Sequence, residues 1–379
     1  MGSSRMVWMT RKVAILDMYA FPLEVPLEDA ALLNDLKKRV KEQHRQWLSI
    51  EASKGEDWYV DRFARNTPFL DHFAAYAKSK QLKGMIRKGI PPALRPKVWL
   101  ASSGAAKKRS TAPRSYYNDL IEAVENRVTP ATRQIDQDLP RTFPTHPWLD
   151  SKEGQQSLRR ILVAYSFRDS RVGYCQGMNF ITALLLLAMR SEEDAFWMLA
   201  VLLEDVLHSD TYSDNLYGCH IEQRVFKDLM RQRSPRLAAH FHDIGFDVSL
   251  VTTEWFLCLF SKSLPSETTM RIWDVLFNEG ASIIFTVALS LFQTREDHLL
   301  CARNVGEALR ILHDATPRLY NPDTVLKAAF EGLGMMTSYT IAKHREKQGV
   351  VVAAELQQKL RQSTTTCDIG SRLCGATVL

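Results

Sequence analysis

Two short segments of this 379-residue chain carry residue types suited to work on a phosphate group. The first runs Ile135-Asp-Gln-Asp138-Leu-Pro140-Arg141-Thr-Phe-Pro144. Pro140 fixes φ beside Arg141, and Pro144 and Pro147 stiffen the residues downstream of it. An arginine on a stiff loop loses less entropy on meeting an anion than one on a floppy loop. Asp138, three residues earlier, is near enough to pair with the guanidinium and aim it. An ordinary Asp–Arg surface pair, worth little, would read the same way. The second segment is Gly173-Tyr174-Cys175-Gln176-Gly177-Met178-Asn179, directly before the apolar run Phe180 to Met189. Gln176 would project from a helix N-terminus, where N–H groups and the dipole favour an anion. Its amide donates and accepts at once, which suits holding a water. Polar residues are also expected at helix starts as plain caps. Taken as a pair, the segments offer what accelerates GTP hydrolysis: an arginine to neutralise charge on the γ-phosphoryl group and an amide to orient the attacking water.

These residues need a scaffold, and apolar spacing predicts an almost all-α one. Leu33, Leu36, Val40 and Trp47 mark an amphipathic helix over about Glu28 to Ser49. Tyr59 to Leu82 continues helical, and Pro91 and Pro92 interrupt the chain before it restarts near Ala93. Ala105 to Ser115 and Pro130 to Pro147 read as loops, with a helix over Tyr116 to Val128 between them. A series of helices then runs from Ser157 to Glu331, including one over Glu296 to Leu312. Residues 1–25 give weak signals, and alternating β-branched runs are scarce. Beyond about Arg345, a weak helix mixed with Ser-Thr-Thr-Thr reads as a fraying, flexible tail.

Composition removes several classes. With 49 basic and 43 acidic residues, the formal charge of +6 is too mild and dispersed to argue for nucleic acid. Weak attraction to acidic membranes or partners stays open. No apolar run approaches the roughly 18 residues of a transmembrane helix. The first twenty residues lack signal-peptide order, and the myristoylation and prenylation patterns are missed. Six scattered cysteines with no C-x-x-C pair read as reduced thiols of a cytoplasmic protein. There is no P-loop, no G-x-S-x-G and no H-E-x-x-H. His240 and His242, two apart, fall on different sides of a helix and make a poor metal pair. No cofactor or metal of its own is expected. A chain offering Arg141 and Gln176 without a P-loop would have to donate them to another protein's nucleotide.

Four motifs in order give a resemblance. Arg87, Gly89, Ile90, Pro91, Leu94, Arg95 and Trp99 fit R-x-G-I-P…L-R…W. Ile135, Asp138 and Arg141 fit I-x-x-D-x-x-R, and Tyr174, Gln176, Gly177 and Met178 fit Y-x-Q-G-M. Arg271 to Gly280 is a looser fourth match. The chain resembles the TBC-domain proteins, GTPase-activating proteins for Rab GTPases, and is similar among them to the growth hormone-regulated TBC group. The resemblance implies an all-α TBC domain of two helical subdomains. The divisions are a helical extension over 1–82, the domain core over 83–281, packed C-terminal helices over 282–345 and the tail over 346–379. It implies Arg141 as arginine finger and Gln176 as glutamine finger, acting in trans on a Rab in its GTP form that itself carries the GTP and Mg²⁺. Asp138 would orient Arg141, Tyr174 would shape the loop under Gln176, Gly177 and Asn179 would fix the helix start, and Ile135 would support the first motif. Arg87, Arg95 and Trp99 read as structural. The implied setting is vesicle trafficking, in the cytoplasm or peripherally on endomembranes through partners. A non-catalytic Rab-binding scaffold on the same fold is the alternative.

Overall fold

The computed structural model describes residues 12–54, 80–213, 215–332, 334 and 336–374. A short antiparallel hairpin opens it, β1 (Lys12–Leu16) against β2 (Pro22–Pro26), with Val13 opposite Val25 and Ile15 opposite Leu23. Helices follow: α1 (Leu27–Lys54), α2 (80–88), α3 (Arg95–Ser102), α4 (Ala105–Ser110), α5 (Tyr116–Val124) and α6 (Pro130–Asp138). Then come α7 (Lys152–Arg168), α8 (Met178–Met189), α9 (Glu192–Val201), α10 (Tyr217–Arg233), α11 (Pro235–Asp243) and α12 (Ser249–Leu257). The series closes with α13 (Ser266–Glu279), α14 (Ser282–Gln293), α15 (Glu296–Leu300), α16 (Val305–Ala315), α17 (Pro322–Lys327) and α18 (Ser338–Cys374). The chain is thus an all-α protein, with one small hairpin among the described residues. Among the described residues, no helix is long and apolar enough to cross a membrane.

Helices α8 and α14 bury nearly every residue, and a helix apolar all round belongs in a core. Around α8 pack α7 and α9, and α13 packs on α14 and α3. One apolar core runs from Tyr19 to Val352, so the two expected subdomains share buried surface.

A buried polar knot fastens the opening motif to the second half. Arg95, fully buried, donates to Glu267 (2.8 and 2.9 Å) and to Asp274 (3.0 and 3.2 Å). Asp274 also accepts from Trp99 Nε1 (2.8 Å) and the Ile90 amide (3.1 Å), which satisfies a carboxylate that burial would otherwise make costly. Arg87 makes a two-pronged pair with Glu279, both contacts 2.7 Å. Arg87, Arg95 and Trp99 therefore sit in fold-holding contacts.

Five expectations need correction. The N-terminal extension is not helical throughout: residues 12–26 form the hairpin, whose exposed face carries Ala14, Leu16 and Pro22, so no apolar–polar alternation shows. Residues 105–110 are helical, starting after Gly104 in a left-handed turn and anchored by buried Ala105. Residues 130–138 are helical too. Thr129 and Thr132 form a capping box, and Pro130 sits at the helix start, where its missing N–H costs nothing. The expected Glu296–Leu312 helix is two helices, the second capped afresh by Asn304. Finally, α18 continues through the supposed tail to Cys374. Its Ile341 and Val352 are buried, and Gln348 donates to Asp228 on α10 (2.6 Å), contacts that add to the helix formers of 343–362 and outweigh the Ser-Thr-Thr-Thr run. Most of the expected Tyr59–Leu82 helix lies outside the described residues.

Candidate functional site

Helix α6 delivers the first motif. Its Ile135 is fully buried and sets the rotation of the helix, so Asp138, one turn later, also points inward. A single 3₁₀ turn, Leu139–Arg141, then carries Arg141 outward. Its side chain is 59% exposed whereas that of Asp138 is 1% exposed, and the two form an ion pair. The cation therefore faces solvent while its carboxylate partner is fixed in the protein.

The second motif comes after α7, through a turn in which Asp169 accepts from the amides of Arg171 (3.1 Å) and Val172 (3.4 Å). Tyr174 turns inward and its hydroxyl donates to Asp138 Oδ2 (2.6 Å). Burial, then the hydrogen bond to Asp138 and its charge, push the phenol well above its ordinary range, so it stays a donor. Cys175 is half-buried, and burial followed by the Asp138 charge pushes its thiol up to about 11. Gln176 is exposed. Gly177 then starts α8 with φ of 113°, where a Cβ would stand 2.8 Å from the Leu257 carbonyl oxygen. Only glycine passes there without strain.

A second link joins the motifs. The Asn179 Oδ1 accepts from the Gly177 amide (3.0 Å), and its Nδ2 donates to Thr142 Oγ1 (2.6 Å). Thr142 in turn donates to the Asp138 carbonyl (2.7 Å). Asn179 is 1% exposed and Thr142 1%, so both bonds are shielded from water. Residues 138–142 and 174–179 are thereby one hydrogen-bonded unit, cross-tied by Asp138–Tyr174 and Thr142–Asn179. All seven residues expected from the sequence, Ile135, Asp138, Arg141, Tyr174, Gln176, Gly177 and Asn179, lie in this unit or in the helix that feeds it. Thr142 is the member to which sequence alone assigns no role. Its place directly after the first motif is visible in the sequence, but the partner that gives it a role lies 37 residues away.

Chemically, the unit presents one cation and one primary amide to solvent on a pre-set frame. No group of three or more His, Cys, Asp or Glu residues fit to hold a metal occurs among the described residues.

Comparison with known proteins places the chain in a family. A model of the Rab-GTPase-TBC domain family matches residues 92–300, more than half of the chain. The chain is 40% identical over 228 residues to TBC1 domain family member 2B of Xenopus tropicalis, covering 59% of this chain and 24% of that protein. It is 33% identical over 350 residues to TBC1 domain family member 2A of Homo sapiens, covering 90% of this chain and 36% of that protein. The chain thus spans well under half the length of these curated relatives. Among solved structures, the Chlamydomonas flagellar RabGAP TBC domain superposes with a TM-score of 0.69 at 37% identity, covering 84% of this chain and all of that one.

Proposed function

The chain belongs to the Rab-GTPase-TBC domain family, and from that premise we propose that it is a GTPase-activating protein for a Rab-family GTPase. In this reading Arg141 enters the partner's nucleotide site as an arginine finger and Gln176 orients the attacking water. The observation that carries it is the double tie between the two loops, Tyr174 to Asp138 and Asn179 to Thr142. It holds the loops that carry an exposed arginine and an exposed glutamine on one frame, so the two are placed relative to each other before docking. The partner brings GTP and Mg²⁺. The guanidinium neutralises charge developing on the transferred phosphoryl oxygens, and the amide oxygen accepts a hydrogen bond from the attacking water while the amide N–H donates one to the phosphate. Asp138 keeps the guanidinium aimed, and Tyr174, held protonated, keeps the carboxylate in place.

The test is a multiple-turnover GTP hydrolysis screen over a panel of Rab GTPases. At least one Rab is expected to respond, and Arg141→Ala is expected to slow the stimulated rate by about 10³–10⁵, some 4–7 kcal/mol of barrier. Stimulation that survives both Arg141→Ala and Gln176→Ala rejects the two-finger mechanism. Rabs that bind without any responding would mark a scaffold instead.

A further inference from the structure

The arginine loop has a back as well as a front, and its back rests on the N-terminal hairpin, which lies outside the matched residues 92–300. At the hairpin tip, Asp17 Oδ1 accepts from the amides of Tyr19 (2.8 Å) and Phe21 (2.9 Å), and Ala20 sits in a left-handed conformation. The tip is thus a built turn. It is anchored from below by the Ser266 hydroxyl, which donates to Asp17 Oδ2 (2.6 Å), and by the Tyr19 hydroxyl on buried Arg95. His146 seals its edge. The Nδ1 of that ring accepts from the amides of Trp148 (3.2 Å) and Leu149 (3.0 Å), so the proton sits on Nε2 and is donated to the Tyr19 carbonyl (2.7 Å).

Phe21 projects from this anchored tip against Phe143, two residues after Arg141. The rings meet edge to face, with centroids 5.0 Å apart and planes at 77°. Phe21 also meets the His146 ring at 4.7 Å. On its other side Phe143 packs edge to face on Phe180 at 5.2 Å, next to Asn179 at the start of α8. Phe143 itself has φ of +52°, a region that a bulky residue keeps only where its surroundings hold it. Its own backbone does not favour the shape of the arginine loop; the aromatic stack from Phe21 through Phe143 to Phe180 adds to the hold of the His146 amide on the Phe143 carbonyl (3.0 Å).

We infer that the hairpin tip is a positioning element for Arg141, with Phe21 the residue that transmits it. The inference rests on the reading of Arg141 as the arginine finger. Phe21 touches neither nucleotide nor water in this scheme; it acts through Phe143 on the aim of the guanidinium. It should therefore matter to the rate of hydrolysis and not to capture of the GTPase.

The experiment uses the full chain and a Rab that responds in the screen above. Phe21→Ala and Arg141→Lys are made singly and together, and kcat and KM are measured for each, with thermal unfolding recorded alongside. Phe21→Ala is expected to lower kcat by about three- to tenfold and leave KM within about twofold, the scale of one lost aromatic pair. In the Arg141→Lys background the same substitution is expected to change kcat by less than about twofold, because the finger it positions is already blunted. An equal fold loss in both backgrounds overturns the inference, as does a loss confined to KM or no loss at all. If Phe21→Ala fails to unfold cooperatively, Phe21→Leu replaces it, keeping bulk but not the edge-to-face contact, and is judged by the same outcomes. If Arg141→Lys alone leaves kcat unchanged, the arginine-finger reading itself fails. If Arg141→Lys is slow and Phe21→Ala is not, only the role of the hairpin fails.

Discussion

The two loops of the site share their side-chain ties but differ in what else holds them. The arginine loop is held through side chains: a carboxylate on the guanidinium, a threonine hydroxyl on a carbonyl and an aromatic ring on its back. The glutamine loop shares the side-chain ties of Tyr174 and Asn179 but adds a backbone constraint at its root, a glycine at φ of 113° pressed against the Leu257 carbonyl. A side-chain hold can be weakened by degrees, since each contact contributes separately. A backbone hold fails at once, since one added Cβ leaves the chain no equivalent path. Substitutions near Arg141 should therefore grade its function, and substitutions at the root of Gln176 should switch it off.

Gly177→Ala is the sharpest way to break this contrast. The forced conformation costs about 1–3 kcal/mol, and the new methyl would lie 2.8 Å from a carbonyl oxygen. Stimulated hydrolysis is expected to fall at least as far as with Gln176→Ala, with stability lowered by about 1–3 kcal/mol. Denaturant unfolding and single-turnover hydrolysis read the two effects separately. A variant that kept the wild-type rate would show that the glutamine loop tolerates rearrangement and that the contrast is false.

Asp138→Asn should instead give a graded loss. It keeps the shape and an acceptor for Tyr174 but removes the charge facing Arg141. A hydrogen bond to a charged group contributes about 1.5–3 kcal/mol, so the expected slowing is roughly 10- to 100-fold, with the fold intact by circular dichroism. A complete loss equal to Arg141→Ala would mean that the carboxylate does more than aim the arginine. Thr142→Val is milder. It deprives the Asn179 amide and the Asp138 carbonyl of a partner, costing about 1–3 kcal/mol of stability. If about 1 kcal/mol of that reaches the barrier, hydrolysis slows roughly fivefold. Because Thr142 joins the loops, its loss should reduce the separate penalties of Asp138→Asn and Gln176→Ala when combined with either. Strict additivity would mean that the loops act independently.

The same contrast decides how much of the site is legible in the sequence. Arg141 and Gln176 announce themselves by type and spacing, and Asp138 by sitting one helical turn from Arg141. The helical class is legible because apolar residues repeat at helical intervals through most of the chain. Thr142 and Phe21 are not, because what gives them meaning is a partner far along the chain: Asn179 for one, Phe143 for the other. The helix Pro130–Asp138 reads as loop because three prolines downstream dominate the pattern, although the Thr129–Pro130–Thr132 cap is present in the letters. The α18 helix is hidden for a different reason. Its Ile341, Gln348 and Val352 dock against the body, and the run Ser363-Thr-Thr-Thr366, poor in helix propensity, masks the strong helix formers that precede it.

The smallest expected effect concerns the residue between Tyr174 and Gln176 in the second loop. Cys175 stands between Tyr174 and Gln176, yet its thiol is turned partly inward, with only a weak contact to the Gln176 carbonyl (3.6 Å). Burial and the Asp138 charge raise its pKa to about 11, so at pH 7–8 it is a neutral thiol and a poor nucleophile. An acid whose folded pKa is raised adds stability that is present at low pH and lost as pH climbs from its ordinary 9.0 through about 11, so no change in activity near neutrality should trace to it. Iodoacetamide at pH 8 should therefore label the exposed Cys301 well before Cys175, and labelling of Cys175 should accelerate as pH rises towards 11. Cys175→Ser should keep stimulated hydrolysis within about twofold, a change below about 0.4 kcal/mol. Fast labelling at pH 8, or a large loss in the serine variant, would show that the second loop opens on its own, and that its backbone hold is looser than the φ of Gly177 implies.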